Sequence, residues 1–201
     1  MSLKIAIAQI NATVGDFAGN RARILDFAER ARQQGADLLL TPELALCGYP
    51  PEDLLLRADF CETCERELDA LANSLQGIAV LVGHPEKRDS HCYNAATLLN
   101  DGQRLATYYK QRLPSYEVFD EERYFDSGDG PCVLTLKGIR CGVNICADVW
   151  EPGAADLARA AGAAILLVLN ASPYHMGKRE RRTEVLRQRI ATTGLPVVYA
   201  N

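Results

Sequence analysis

Short apolar stretches alternate with longer amphipathic ones along the chain. Residues 4–10 and 37–41 are short and largely apolar, as in β-strands, whereas residues 20–34 repeat apolar positions at the spacing of a helix face. A helix between two strands predicts a β-α-β unit with parallel strands and a right-handed connection. The first part of the chain therefore predicts an α/β fold whose sheet is covered on both faces.

The same patterns continue to the last residue. They predict helices at 60–75, 154–161 and 177–193, and strands at 78–83, 93–99, 104–109, 133–136, 139–145, 164–169 and 196–200. The turn at residues 100–102 (Asn-Asp-Gly) is a hairpin signal, so the sheet should gain antiparallel members. The last helix is mainly basic, and we expect its charged face to be solvated, with Val185, Leu186 and Ile190 turned inward.

Composition narrows the class of protein. The 201 residues can form one domain with a well-developed core. Hydrophobic residues make up 48% and charged residues 24%, and the net charge of −4 argues against a surface for nucleic acid or anionic membranes. No segment has the roughly 18 uninterrupted apolar residues of a membrane span, and the amino terminus lacks a signal-peptide pattern. We therefore expect a cytoplasmic protein without a nucleic-acid or membrane partner.

Seven cysteines, an odd number, are scattered through the chain. In an acidic chain without an export signal, free thiols are a better interpretation than a disulfide framework. Cys61 and Cys64 form a CxxC motif, but it lies in a predicted helix without a second such motif or a histidine pair nearby. Core packing is therefore favoured there over a zinc or redox site, and no metal site is predicted.

One cysteine, Cys146, follows the predicted strand 139–145 and precedes the Glu-Pro-Gly turn at 151–153. At a strand-to-helix junction a side chain is pushed out of the sheet, and the next backbone N–H groups point towards what it attacks. This is a suitable place for a nucleophile. The alternative is that Cys146 packs as a small buried hydrophobe, and the motif alone leaves both interpretations open.

Two further loops follow apolar strands and contain charged residues. Glu43 lies in a loop stiffened by prolines, where the alternatives are a solvated carboxylate and a partly desolvated general base, and its apolar neighbours favour the second. Lys110 directly follows the strand 104–109 and begins a long loop rich in aromatic and acidic residues. There it is either a solvated flanking residue or part of a site. Ligands bind at the carboxyl ends of strands in open α/β sheets, which favours a site here.

The glutamate, lysine and cysteine occur in three motifs: TPELALCGYP, YYKQRLPSYEVFDEERYF and GVNICADVW. In this order they resemble the carbon-nitrogen hydrolase (nitrilase) superfamily over residues 5–201. The resemblance implies an α/β fold built as a four-layer α-β-β-α sandwich, with Glu43, Lys110 and Cys146 as a catalytic triad. It also brings Lys110 close to Cys146, which predicts a lowered pKa for the thiol.

A narrower resemblance rests on GYPPEDLLLRADF, LPSYEVFDEERYF and NASPYHMGKRERR. These segments are similar to the amino-terminal glutaminase domain of the glutamine-dependent NAD synthetase family. The resemblance implies that Tyr116, Ser172 and Lys178 bind glutamine, and that Glu121 is a second glutamate supporting the triad. In that family the residue after the nucleophile is often glutamate, whereas this chain has Ala147.

The same resemblance implies that residues 1–201 are one glutaminase domain, truncated at its carboxyl end, with the synthetase domain absent. No SGGxDS phosphate loop occurs in the sequence. Glutamine would be the substrate of this domain, which needs no cofactor. The ammonia would convert deamido-NAD to NAD in the absent domain, with ATP and Mg²⁺, and the protein would be a homo-oligomer.

Two alternatives remain open from the sequence. The first is a stand-alone amidase or ω-amidase of the same superfamily that acts on another small amide. The second is a non-catalytic module on the same scaffold, with Ala147 as an early sign of decay. Thiol reactivity separates the second from the enzymes, because a non-catalytic module has no reason to keep Cys146 more reactive than the other six cysteines.

Overall fold

The computed structural model of the chain describes residues 2–115, 120–173 and 176–201. The helices are α1 (Phe17–Gln33), α2 (Ala58–Ser74), α3 (Ala147–Trp150), α4 (Ala154–Ala160) and α5 (Lys178–Thr193). The strands are β1 (Ile5–Ile7), β2 (Leu38–Leu40), β3 (Ala79–Arg88), β4 (His91–Asn100), β5 (Gln103–Tyr109), β6 (Cys132–Leu136), β7 (Ile139–Ile145), β8 (Ile165–Leu169) and β9 (Val197–Ala200). Short 3-10 helices cover Glu52–Leu56 and Glu121–Arg123.

The strands form two sheets. The first has the order β1-β2-β3-β4-β5, with β1, β2 and β3 parallel and the β3-β4 and β4-β5 pairs antiparallel. The second has the order β6-β7-β8-β9, in which β6 is antiparallel to β7 and the other pairs are parallel. The hairpin predicted at residues 100–102 joins β4 to β5, and Asp101 and Gly102 both have positive φ angles.

Side-chain alternation along β2 shows how the layers stack. Leu38 and Leu40 belong to the apolar cluster between the two sheets, together with Val143 and Ile145 of β7. Leu39, between them, belongs to the cluster under α1 and α2. A wholly apolar strand is needed because both of its faces are buried, and each buried leucine contributes about 1.5–3 kcal/mol.

Strand β8 repeats the same arrangement on the other side of the molecule. Leu167 and Leu169 face the layer between the sheets, whereas Leu166 and Val168 pack against the small residues of α4. Helices therefore cover the outer face of each sheet. This is the four-layer α-β-β-α sandwich, and the predicted fold class is confirmed.

The structure differs from the sequence-based elements in two places. Strand β3 continues to Arg88 instead of ending at Gly83, because a hairpin of polar residues extends beyond the buried sheet. In α5, Ile190 is exposed, whereas Arg189 is buried and its Nε donates to the Val149 carbonyl at 3.0 Å. Leu186 packs against the core as predicted and Val185 is half-buried, so the prediction was wrong for Ile190 only, and Arg189 takes a buried place beside α3 instead.

All seven cysteines are free thiols, and Cys61 and Cys64 are buried on α2. Within the described ranges, no group of three or more His, Cys, Asp and Glu side chains could hold a metal ion. None of the helices in those ranges combines the length and hydrophobicity that crossing a membrane requires.

Candidate active site

The loop that carries Glu43 follows β2 and lies against Gly83 of β3. The Gly83 N–H donates to Thr41 Oγ1 at 3.3 Å, and the Gly83 carbonyl accepts from the Leu46 N–H at 3.1 Å. A Cβ atom on Gly83 would lie 2.5 Å from the Leu44 nitrogen, so only glycine permits this close approach. The strand and the loop thereby fix the backbone on both sides of Glu43.

The Glu43 carboxylate is 1% exposed and accepts three hydrogen bonds. Its Oε1 accepts from Lys110 Nζ at 2.6 Å and from Asn94 Nδ2 at 2.9 Å. Its Oε2 accepts from the backbone N–H of Ala171, which follows β8 in the other sheet, at 3.1 Å. The sequence predicted a partly desolvated glutamate, but it gave no signal for Asn94 or Ala171 as partners.

Lys110 follows β5, which is parallel to β2 because two antiparallel steps separate β5 from β3. Its ammonium group is completely buried and also binds both oxygens of Glu121, each at 2.8 Å. Tyr49 donates to Glu121 at 3.5 Å. The prediction that Glu121 accompanies the triad thus corresponds to a direct ion pair.

The charges of this cluster are strongly coupled. Burial lowers the pKa of Lys110, but the charges of Glu43 and Glu121 outweigh burial and hold that pKa well above its ordinary value. Burial raises the pKa of Glu121 to about 7, with the Lys110 charge opposing and the Glu43 charge reinforcing this shift. Lys110 therefore stays cationic between two acidic groups.

Cys146 stands between β7 and α3 with φ 43° and ψ −102°. This is a strained conformation for a residue with a Cβ atom, and such strain is typical of functional sites. The Cys146 N–H donates to the Leu169 carbonyl at 2.8 Å, which continues the β7-β8 pairing by one residue. Ala147 begins α3, and its N–H is one of the first in the helix, which have no intrahelical acceptor.

The predicted lowering of the Cys146 pKa was wrong. The thiol is 6% exposed, and burial raises its pKa well above the ordinary value. The negative charge of Glu43 adds to that rise, and Lys110 opposes it without overcoming it. The resting site therefore holds a neutral thiol that needs a base to remove its proton.

The three residues predicted to bind glutamine have different positions. Tyr116 lies outside the described residues. Ser172 lies next to Ala171 and is 7% exposed, and its Oγ accepts from Arg182 Nη2 at 2.7 Å. Lys178 begins α5, and its Nζ lies 4.9 Å from the centre of the Trp150 ring. The contacts of Arg182 with Ser172 and of Trp150 with Lys178 were not predicted from the sequence.

Two cavities border this cluster. One of about 180 Å³ is lined by Pro42, Glu43, Tyr49, Ala171 and Ser172, among others. Another of about 350 Å³ lies on the Glu121 side and is lined by Tyr49, Glu121 and the 3-10 segment that follows residue 51. Glu43 and Glu121 thus each line a space that can hold a small molecule.

Fold and site can be compared with known proteins. The family model for carbon-nitrogen hydrolases matches residues 4–201. The chain belongs to the carbon-nitrogen hydrolase family.

Its relatives include a particular kind of enzyme. The glutamine-dependent NAD(+) synthetase of Xanthomonas campestris pv. campestris is 46% identical over 206 residues, which cover 100% of this chain and 37% of the relative. The glutamine-dependent NAD+ synthetase of Acinetobacter baumannii, solved with ADP, superposes with a TM-score of 0.93 at 33% identity, over 98% of this chain and 38% of that one. The chain therefore spans just over a third of the length of these relatives.

A second kind of neighbour is a shorter protein. The amidase of Nesterenkonia sp. AN1 superposes with a TM-score of 0.87 at 30% identity, over 100% of this chain and 78% of the amidase. In that structure acrylamide has added to the active-site cysteine of the amidase.

Proposed function

We propose that the chain hydrolyses the side-chain amide of glutamine with Glu43, Lys110 and Cys146, as the ammonia-producing part of a glutamine-dependent NAD synthetase. The observation that carries the proposal is the buried contact of Glu43 with Lys110. Both charges act on the thiol of Cys146, which stands at the strained turn between β7 and α3. The similarity to such synthetases over the whole chain supports glutamine as the substrate.

In the first half of the reaction, Glu43 takes the thiol proton and the Cys146 sulfur attacks the amide carbon. The carbonyl oxygen becomes an oxyanion, which the Lys110 ammonium and the Ala147 N–H stabilise. When the intermediate collapses, the C–N bond breaks and the nitrogen takes the proton from Glu43. Ammonia leaves, and a thioester remains on Cys146.

In the second half, Glu43 takes a proton from water, and the hydroxide attacks the thioester carbon. The same donors stabilise the second oxyanion. Its collapse breaks the C–S bond, the sulfur regains the proton from Glu43, and glutamate leaves. A neutral resting thiol suits this cycle, because one carboxylate moves each proton and ends in its starting state.

The wider role belongs to the full-length protein. Ammonia from this site would convert deamido-NAD to NAD in a synthetase domain, with ATP and Mg²⁺ bound there. The glutaminase chemistry uses only side chains and backbone of this chain and requires no cofactor. We further propose that the protein acts in the cytoplasm as a homo-oligomer, as its resemblance to the synthetase family implies.

Release of ammonia and glutamate from glutamine by the full-length protein tests the proposal. We expect release to rise when deamido-NAD and ATP are added, and to vanish in Cys146→Ala. Cys141→Ala is the matched control, because it removes a thiol from β7, the strand that directly precedes Cys146. This variant should retain activity. Undiminished release from Cys146→Ala would refute the mechanism.

An amidase acting on another small amide is the second candidate. It is favoured by the amidase of Nesterenkonia sp. AN1, of which this chain covers 78%. It would share the triad, so the substrate separates the two functions. Hydrolysis of acrylamide or propionamide without hydrolysis of glutamine, under either ligand condition, would establish the amidase.

A further inference from the structure

A buried carboxylate outside the catalytic cluster joins the two sheets beside the site. Asp148 lies in α3, two residues after Cys146, and is completely buried. Its Oδ1 accepts from the backbone N–H groups of Gln111 at 3.0 Å and Arg112 at 2.8 Å. Its Oδ2 accepts from the Ile145 N–H at 2.9 Å and from the Tyr108 hydroxyl at 2.8 Å.

Three of these donors lie on the two sides of Lys110 in the sequence, and the fourth directly precedes Cys146. Tyr108 precedes Lys110 on β5, and the two backbone donors at 111 and 112 follow it. Ile145 is the last residue of β7 and directly precedes Cys146. One carboxylate therefore joins the end of a strand in the first sheet to the end of a strand in the second.

Stability alone does not account for this arrangement. All four contacts are with neutral donors. Burial raises the pKa of Asp148, and the hydrogen bonds from Ile145 and Arg112 lower it without cancelling that rise. Removing a carboxylate from water without a salt bridge is costly, and the three buried backbone N–H groups need an acceptor but not a charged one. What the carboxylate adds is geometric, because it orders donors from three segments around one point.

We propose that Asp148 is a positioning residue that holds Lys110 at its working distance from Cys146 across the two sheets. It contacts no reacting atom. The rate depends on this distance, because the lysine must meet the oxyanion formed at the cysteine, and a displacement of about 1 Å can cost a hundredfold in rate.

The first test is Asp148→Asn in the full-length protein, assayed with glutamine, so this arm rests on the proposed function. The amide is nearly isosteric, but its NH₂ group would meet two of the four donors. We expect kcat to fall at least about tenfold with KM changed by less than about threefold, since the defect is in geometry at the transition state. Asp156→Asn is the matched control, because Asp156 accepts from the Gly153 N–H at the exposed start of α4, away from the catalytic cluster.

The second test does not depend on the substrate. The rate of Cys146 alkylation by iodoacetamide is measured against pH in wild type and variants. Five described titratable groups interact electrostatically with the thiol: Glu43, Lys110, Glu121, Tyr49 and Tyr199. Among them only Lys110 favours the thiolate, so its displacement should move the alkylation profile to higher pH.

The direction of that shift separates positioning from simple charge removal. Deleting the negative charge of Asp148 without moving Lys110 would shift the profile to lower pH. A shift to higher pH with reduced kcat supports the proposal. A profile and kcat equal to those of wild type, in a variant with a lowered melting temperature, would make Asp148 a structural residue only.

Tyr108→Phe removes one of the four hydrogen bonds and covers the case in which Asp148→Asn does not fold. It should shift the alkylation profile in the same direction and lower kcat by a smaller factor. An unchanged profile and rate in folded Tyr108→Phe would overturn the proposal. If wild type alkylates selectively at Cys146 but does not hydrolyse glutamine, the proposed substrate fails and the alkylation arm still decides the role of Asp148.

Discussion

The two sides of the candidate site are built differently. On the catalytic side, the Glu43 and Lys110 side chains are buried, and each has at least two hydrogen-bond partners at 2.6–3.1 Å. On the proposed recognition side, the Ser172 hydroxyl accepts from Arg182 at 2.7 Å, and Lys178 Nζ lies 4.9 Å from the centre of the Trp150 ring. On the first side opposite charges are in direct contact, whereas on the second the cationic side chains lie against a hydroxyl group and an aromatic ring.

This difference matches the demands of the two tasks. Stabilising a transition state requires groups that are already oriented in a water-excluded place. Recognising a substrate allows long cationic side chains to move when a ligand arrives, at the cost of some ordering. We therefore expect changes on the catalytic side to act mainly on kcat, and changes on the recognition side to act mainly on KM.

Among changes that leave the Cys146 nucleophile in place, removing Lys110 should have the largest effect on the rate. Lys110→Ala takes away the proposed oxyanion donor, so we expect kcat for glutamine to fall about a hundredfold or more. Lys87→Ala, on the exposed part of β3, is the control. Melting curves are needed, because the substitution leaves two carboxylates buried without their cation. A twofold change in kcat would remove Lys110 from the proposed oxyanion site.

The backbone that holds Glu43 can be tested without touching a polar side chain. Gly83→Ala places a methyl group 2.5 Å from the Leu44 nitrogen, so the loop must move. We expect a loss of about 1–3 kcal/mol in the free energy of unfolding, measured with urea, together with a lower kcat. At Gly130 nothing lies within 4 Å of an added Cβ, so Gly130→Ala should behave like wild type. Equal results for the two variants would contradict the close-packed loop.

The sequence predicted the order of elements and the fold class well. Strands such as β2 and β8 are short and wholly apolar, which is typical of buried strands. Glycine and proline residues mark the turns between the elements. The burial of Glu43 and Lys110 was less accessible to prediction. The local sequence around Glu43 predicts only partial desolvation, and Lys110 alone resembles a solvated flanking residue, so their complete burial follows only from the contact between distant segments.

What remained unpredicted depends on contacts between distant segments. The Asn94 amide binds Glu43 across 51 positions of sequence, and Asp148 binds donors 36 and 37 positions away. No local pattern encodes such a pair. The direction of the shift in the Cys146 pKa was predicted wrongly for the same reason. The burial of the thiol depends on the assembled sandwich, and it raises the pKa by more than the neighbouring Lys110 lowers it.

A smaller effect is expected on the recognition side. Lys178→Ala should raise the KM for glutamine about fivefold to tenfold and leave kcat within about twofold, since a single ion pair with the substrate carboxylate is worth about 1 kcal/mol. Arg181→Ala is the matched control, because Arg181 also lies over the Trp150 ring, at 5.6 Å, and is more exposed. A fall in kcat with KM unchanged would place Lys178 on the catalytic side and break the distinction.

The smallest effect concerns stability and pH. The pKa of Glu121 is about 7 in the folded protein and 4.5 in the unfolded reference, so between these values the folded state keeps a proton that the unfolded chain has released. That contribution to stability is fully present below pH 4.5 and is lost as the pH rises to 7. Glu121→Gln cannot titrate, so its urea midpoint should vary less than that of wild type between pH 5 and pH 7.5. Glu122→Gln, an exposed neighbour, should retain the wild-type slope. Parallel curves for wild type and Glu121→Gln would mean that Lys110 keeps Glu121 ionised throughout, and that the catalytic side is held by charge more strongly than by burial.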